Sequence, residues 1–160
     1  MKSRLSHCVL VSLLLSAALA QCQQLKIQNE NGKGIVLERA EIESLPHIKV
    51  TTHSSDTSAE FEGVALKAVL EKAGVEFGHS MRSKRVASCL LVEAADGYRA
   101  VIALPEIDPD FTDKEIVLAF LQDGKPLDAK AGPYRIVIPD EKRMARWVRQ
   151  VTELKIVDVQ

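Results

Sequence analysis

The stretch Gly132-Pro133-Tyr134-Arg135-Ile136-Val137-Ile138-Pro139 carries the clearest signal of the fold, and Arg146-Trp147-Val148 follows it closely. The Gly-Pro pair indicates a turn, and the short apolar run after it ends at a proline. Arg135 interrupts this run, and a guanidinium among apolar neighbours needs an anion, carbonyl groups or a phosphate beside it. We therefore predict a strand over residues 135–138 and take Arg135 as the first candidate for a binding residue.

Working outward, turn signals and hydrophobic periodicity divide the remaining chain into short strands and few helices. Leu66, Val69, Leu70 and Ala73 recur at helical spacing, and Gly74 is placed to end that helix. A single helical turn is predicted over residues 41–45. Strands are predicted at 25–27 and 35–37 (a small hairpin), 47–52, briefly around residue 61, at 86–93 and 98–104 (a hairpin), at 116–121 and at 147–159. The predicted class is α+β with a mixed or mostly antiparallel sheet.

The first twenty residues have the pattern of a secretory signal peptide. Lys2 and Arg4 precede an apolar segment at residues 8–19, and Ala18-Leu19-Ala20 is an A-x-A cleavage site. We therefore expect cleavage before Gln21 and a periplasmic or secreted protein. Lipidation of Cys22 is an open alternative that would add a membrane anchor, although Gln21 is a poor residue before a lipidated cysteine.

Composition then limits the class of partner. Loss of the two cations in the leader changes the formal charge from −1 to −3, and no basic tract is present, so nucleic acid is not an expected partner. Nothing after residue 20 has the length and apolarity of a transmembrane helix. We assign residues 1–20 to the signal peptide, 21–49 to an N-terminal extension with the small hairpin, and 50–160 to one domain. A Cys22–Cys89 disulfide is chemically allowed, but Cys89 is better read as a small buried apolar residue.

Six segments, in this order along the chain, resemble the molybdopterin-binding domain of the sulfite oxidase family of oxidoreductases. They are Phe61-Glu62-Gly63-Val64-Ala65-Leu66 with the following helix, Asp96-Gly97-Tyr98, Ile116-Val117-Leu118-Ala119, Asp123-Gly124-Lys125-Pro126-Leu127, the segment from Gly132 to Pro139, and Arg146-Trp147-Val148. The resemblance extends from about Val50 to the C-terminus. It implies the sulfite-oxidase-type fold and a pterin cofactor that carries molybdenum.

One residue that the resemblance requires is missing. Catalytic members hold molybdenum through two pterin sulfurs and one protein cysteine, which would fall within Thr51-Thr52-His53-Ser54-Ser55-Asp56. No cysteine is present there, and imidazole or hydroxyl groups are poor substitutes for the soft thiolate. Catalytic relatives also carry further segments around the pterin. The resemblance therefore predicts the scaffold without its metal ligand, and we assign neither catalytic nor metal-binding residues.

Four residues are candidates for ligand binding, each with a structural alternative. Arg135 is either an anion clamp, for a pterin phosphate in relatives, or the partner of a carboxylate such as Asp140 or Glu141. His53 stands where the ligand cysteine is expected, or is simply a solvated histidine. Tyr134 lines a cleft or packs over the turn that it follows. Arg146 binds an anion or stacks on the neighbouring tryptophan.

The leading hypothesis is a non-catalytic binding or accessory module for a small anion, a pterin-like ligand or a partner protein in the envelope. The alternative is a molybdenum-cofactor-dependent oxidoreductase of the sulfite oxidase type with atypical metal ligation, acting on sulfite, a sulfoxide or a related oxyanion. A structural domain attached to an envelope complex is a third possibility. Whether molybdopterin or another cofactor binds is left open by the sequence.

Overall fold

The computed structural model describes residues 24–54, 57–81, 83–139 and 141–158. The predicted signal peptide, Cys22, residues 55–56 and Asp140 lie outside the described residues. Within these ranges the chain forms ten strands and two α-helices. The strands are β1 Leu25–Gln28, β2 Gly34–Leu37, β3 His47–Ser54, β4 Thr57–Ala65, β5 Cys89–Ala94, β6 Arg99–Ala103, β7 Val117–Gln122, β8 Lys125–Pro126, β9 Arg135–Val137 and β10 Val151–Val157, and the helices are α1 Arg39–Glu43 and α2 Leu66–Lys72.

The first sheet has the strand order β2-β1-β10-β5-β6. Both predicted hairpins are present in it, β1 with β2 and β5 with β6. β10, near the C-terminus, lies between the two hairpins and pairs parallel with β1 but antiparallel with β5. Parallel and antiparallel pairing therefore coexist in this sheet. The predicted α+β class with a mixed sheet is confirmed.

The second sheet has the order β3-β4-β7-β8, and β9 also pairs with β7. β4 is its central long strand, since it bonds to β3 on one side and to β7 on the other. The prediction of only a brief extended segment around Phe61 was therefore wrong. Pairing on both edges extends this strand to nine residues, through polar positions that local sequence does not mark as strand.

Apolar side chains from both sheets and from α2 form the hydrophobic core. The face of α2 predicted from its periodicity is buried, with Leu66, Val69 and Leu70 inaccessible to solvent. Gly74 ends the helix at a φ of 84°, and its N–H donates to the Glu71 carbonyl. No helix in the described ranges has the length and apolar character of a bilayer-crossing segment.

Two predicted strands begin later than expected. Val86 lies in the 3-10 turn Ser83–Ala87, and β5 begins only at Cys89. Trp147 follows the 3-10 turn Met144–Arg146, and β10 begins at Val151. The physical reason is local, because the N–H groups of Trp147 and Val148 donate to the carbonyls of Met144 and Arg146 within the turn and are not available to a sheet.

His47 joins α1 to the second sheet. Its Nδ1 lies 3.0 Å from Glu62 Oε1 on β4, and its Nε2 lies 2.9 Å from the Glu43 carbonyl at the end of α1. Both partners are acceptors, so both contacts are satisfied only by the imidazolium, which carries two N–H donors. The Glu43 carbonyl and then Glu62 raise the pKa of His47, and His47 in turn lowers the pKa of Glu62.

We expect this junction to stabilise the fold most strongly at mildly acidic pH. A histidine whose pKa is raised by folding stabilises the fold fully at pH values below the pKa that it has in the unfolded chain. That stabilisation is lost as the pH rises through the pKa of the folded state. Folding lowers the pKa of Glu62, so this carboxylate stabilises the fold at pH values above the pKa that it has in the unfolded chain. That stabilisation is lost only when the pH falls through the lower pKa of the folded state. The difference in unfolding free energy between wild type and His47→Gln should therefore be larger at about pH 5.5 than at about pH 8.5.

Urea unfolding at the two pH values measures this difference. His53→Gln is the matched control, because His53 lies on the same strand with an exposed side chain. We expect the His53→Gln substitution to have a small effect on stability. A His47→Gln effect of equal size at both pH values would contradict the two-donor geometry.

Candidate functional site

Arg135 on β9 lies against two aromatic side chains from distant parts of the chain. Its backbone pairs with Ala119 on β7, and the next N–H, of Ile136, donates to the Val148 carbonyl at 2.8 Å. This bond holds Trp147 alongside β9. The guanidinium carbon of Arg135 lies 5.2 Å from the Phe61 ring centroid and 5.5 Å from that of Trp147. The two rings meet edge to face, so one cation contacts an aromatic pair.

The cation at this position is poorly compensated. Among the described residues, no carboxylate lies within ion-pair distance of the Arg135 guanidinium, and its buried Nε has no hydrogen-bond partner. Burial lowers the pKa of Arg135, the neighbouring Arg149 lowers it further, and Asp128 opposes the shift. A half-buried guanidinium whose buried Nε–H has no partner is an unfavourable arrangement unless an acceptor joins it.

Two clefts meet at Arg135 and Arg149. The first, of about 450 Å³, is also lined by Tyr98, Met144 and Trp147 and by the acidic residue Asp96. The second, of about 440 Å³, is also lined by the basic residues Lys125 and Lys130 and by the acidic residues Asp123 and Asp128. The Asp123 carboxylate accepts a hydrogen bond from the Glu60 N–H. The Asp128 carboxylate accepts hydrogen bonds from the N–H groups of Lys130 and Ala131. The two arginines are therefore placed to attract an anion from either cleft.

Arg146, the second predicted cationic binding residue, is engaged by protein carboxylates. Its two terminal nitrogens lie 3.0 and 3.1 Å from the oxygens of Glu106, and its Nε donates to Glu141 at 2.7 Å. Arg146 is also the main cause of the lowered pKa of Glu106. Glu141, one of the two carboxylates named as alternative partners of Arg135, thus pairs with Arg146, and the other, Asp140, lies outside the described residues. Trp147, expected to stack on Arg146, stacks on Arg135.

The other two candidates lie away from the Arg135 guanidinium. Tyr134 lies immediately before β9 and is fully buried, and the charges that act on its phenol are those of Arg39, Glu43 and Glu38 at α1. Burial raises the pKa of Tyr134 to about 12. His53 is exposed on β3, whereas the alternating Val50 and Thr52 are buried. Phe61 pairs with Val50 and shares its face, so His53 points away from the ring that Arg135 contacts.

The residues brought together at Arg135 include two that the sequence did not indicate as binding residues. Phe61 was identified only as part of a strand motif, and Arg149 was not singled out. Neither has a local signal that points to Arg135. Their common feature is visible only in three dimensions, where the Phe61 ring contacts the Arg135 guanidinium and Arg149 lines both clefts with Arg135.

The described residues provide no thiolate in the second sheet. The one cysteine after residue 24 is Cys89, which is half-buried on β5 in the first sheet. No group of three or more His, Cys, Asp or Glu side chains converges as a metal site in the described ranges. Thr52, in the segment where the ligand cysteine is expected, is buried and its hydroxyl donates to the Ala59 carbonyl. These side chains do not fit the molybdenum ligation of the sulfite oxidase family.

The fold and the arrangement of these segments define a molybdopterin-binding-type domain. Residues 37–160 match the family described as "Oxidoreductase molybdopterin binding domain", and the chain belongs to this family. The resemblance inferred from the sequence is thereby confirmed. Among curated proteins, no sequence matches this chain.

A solved structure supports the same fold. The sulfane dehydrogenase SoxCD from Paracoccus pantotrophus is similar to this chain with a TM-score of 0.68 and 20% sequence identity. The similarity covers 88% of this chain and 39% of the SoxCD chain, so this chain spans about two fifths of the length of that protein. At this level of identity the similarity is evidence for the fold alone.

Proposed function

We propose that this chain is an exported, non-catalytic accessory domain that binds a small oxyanion at Arg135 and Arg149. The observation that carries the proposal is the state of Arg135, a half-buried cation whose buried Nε–H and whose guanidinium have no hydrogen-bond or carboxylate partner among the described residues. Arg146, in contrast, is paired with Glu106. Two adjacent cations with free donor capacity favour an anionic ligand.

The absence of the ligand cysteine supports the non-catalytic part of the proposal. Soft thiolate is the ligand that holds molybdenum in the related enzymes, and residues 51–56 supply only hydroxyl, imidazole and carboxyl groups. Export rests on the leader at residues 1–20. The competing candidate is a molybdenum-cofactor-dependent oxidoreductase with atypical ligation, and it is favoured only by membership of the family.

Metal analysis separates these two candidates. Protein purified from a molybdenum-replete host with a working export pathway is expected to contain molybdenum far below one atom per chain. N-terminal sequencing of the same sample should begin at Gln21. One molybdenum per chain, together with the visible absorption of a dithiolene complex, would establish the enzyme and refute the accessory role.

Anion binding is tested directly with the variant Arg135→Met. Methionine keeps an apolar stem against Phe61 and Trp147 but removes the charge and the N–H donors. We expect calorimetry to show binding of inorganic sulfate or phosphate to wild type, and at least about a hundredfold weaker binding to the variant. Without an anion, the variant should be no less stable than wild type, because it no longer buries an unpaired cation.

Arg99→Ala is the charge-matched control. Arg99 is exposed on β6 and lies 3.8 Å from Glu93, so its removal changes the net charge equally without altering the cleft. We expect its anion affinity to equal that of wild type. If Arg135→Met is strongly destabilised while its anion affinity is unchanged, Arg135 has a structural role and the proposed site is wrong.

A further inference from the structure

The first sheet turns one face to the core and the other to solvent. Along β5, Leu90 and Val92 are inaccessible to solvent, whereas the outward side chains that alternate with them are partly exposed. Residues paired across neighbouring strands share a face, so the registers of β5 with β6 and β10 identify the other outward side chains. Five adjacent ones, which we name the outer patch, are apolar: Cys89, Leu91, Val101, Ala103 and Val157. Val101 is 50% exposed, and an exposed cluster of this kind is typical of an interaction surface.

A row of charged side chains borders the outer patch on the same face. It runs from Arg99 on β6 through Glu93 on β5 and Glu153 on β10 to Lys26 on β1. Arg99 lies 3.8 Å from Glu93, and within the described ranges Glu153 forms no ion pair with Lys26. Two carboxylates directly opposite each other on neighbouring strands repel. A further cation over Glu93 is therefore favourable at this row.

We propose that the outer patch binds a second copy of this chain. The two copies pack face to face about a two-fold axis that runs along the strands, between β5 and β6. This rotation places β5 of one copy over β6 of the other at the same level along the strands. Leu91 then faces Val101 of the second copy, and Glu93 faces Arg99 of the second copy. Each Glu93 lies between two guanidinium groups, one from each copy, which offset its repulsion by Glu153.

The choice of a second copy rests on self-complementarity. An interface with two-fold symmetry requires that one surface fits itself. About the proposed axis, every apolar side chain of β5 faces an apolar side chain of β6, and the acidic position faces the basic one. A surface that received an unrelated partner does not require this match between its own two strands.

The size of the contact determines its strength. Only two strands of each copy overlap, so the interface is smaller than the standard size for stable complexes. We therefore expect a weak dimer, with a dissociation constant of about 10 µM to 1 mM. Neither Arg99 nor Glu93 lines the clefts at Arg135, so this inference does not depend on the anion site.

Sedimentation equilibrium measures the association under reducing conditions, which exclude disulfides. Between about 5 µM and about 2 mM, we expect the mass of the wild-type protein to rise from that of a monomer towards twice that value. Val101→Asp should weaken the dimer at least about tenfold, because it places a carboxylate on an apolar contact. Val36→Asp is the matched control and should associate like wild type, since Val36 is 48% exposed on the same face but lies on β2 at the far edge of the sheet.

A charge exchange tests the proposed axis. Arg99→Glu alone and Glu93→Arg alone each place like charges face to face across the interface, so each variant should be monomeric at concentrations where wild type dimerises. An equimolar mixture of the two variants should associate again, because every acidic position then faces a basic one in the heterodimer. The pair within one chain remains like-charged in both variants, so recovery in the mixture arises only between chains.

The outcomes decide the proposal in both directions. Recovery in the mixture, together with loss of the dimer in Val101→Asp, supports the interface and its axis. A wild-type protein that stays monomeric at about 2 mM overturns the proposal. Association of wild type with equal strength in Val101→Asp, or a mixture that remains monomeric although urea unfolding shows both variants to be folded, also overturns it.

Discussion

Gly63→Ala is expected to lower the free energy of unfolding by about 3 kcal/mol, a large effect for the addition of one methyl group. A Cβ at this position would lie 2.2 Å from the Leu118 carbonyl oxygen and 2.6 Å from the Ala119 Cα, both backbone atoms of β7. Backbone atoms in a paired strand cannot move aside as a flexible side chain can. The two central strands of the second sheet must therefore separate locally, next to the bulge between Glu62 and Gly63.

Thermal unfolding provides the measurement, with a melting temperature expected to fall by about 10 °C for a domain of this size. Gly34→Ala is the matched control, since Gly34 also lies in a strand but has no atom within 4 Å of the added Cβ. We expect that control to be neutral or slightly stabilising. Similar losses in the two variants would show that the close approach of β4 to β7 is not the cause.

Asp108→Ala is expected to cost about 3 kcal/mol, because it removes a carboxylate that several groups depend on. Asp108 is fully buried, accepts the Gly78 N–H at 2.6 Å and the Asp110 N–H at 3.2 Å, and lies 3.7 Å from Lys67 Nζ. Without it, the Gly78 N–H loses its acceptor and the half-buried Lys67 keeps only Glu71, at 3.6 Å, as a counter-ion.

Two further variants refine this prediction, with stability measured by urea unfolding. Asp108→Asn keeps an acceptor oxygen but not the charge. The free energy of unfolding should therefore fall clearly less in Asp108→Asn than in Asp108→Ala. Asp113→Ala removes an exposed carboxylate from the same loop and should change stability by less than about 0.5 kcal/mol. An Asp108→Ala loss as small as that of Asp113→Ala would refute the anchoring role.

The fold was largely predictable because its signals are local. The spacing of Leu66, Val69 and Leu70 located α2, and the Asp-Gly turn at residues 96–97 located the β5–β6 hairpin. Where prediction failed, non-local pairing or turn hydrogen bonds decided the outcome. β4 is longer than its composition indicates because it is bonded on both sides, and Trp147 is excluded from β10 by its own turn.

The candidate site was predictable in part. Arg135 was recognisable as a cation in an apolar run, which is a property of neighbouring residues. Its actual surroundings were not, since Phe61 on β4 and Arg149 in the turn before β10 reach it through tertiary packing. Glu141, one of two carboxylates considered as partners of Arg135, pairs with Arg146, and Trp147, considered as a partner of Arg146, stacks on Arg135, because proximity in sequence does not determine which long side chains meet.

By itself, the sequence determined the family and the lack of a cysteine at residues 51–56, because both depend on the identity and order of residues. The tertiary structure alone decided which arginine is available to a ligand. Charges pair according to distance in space, and the fold places Glu106 beside Arg146 but leaves Arg135 between two aromatic rings. It also stacked the Arg135 guanidinium on the Trp147 ring, a contact that no linear pattern encodes.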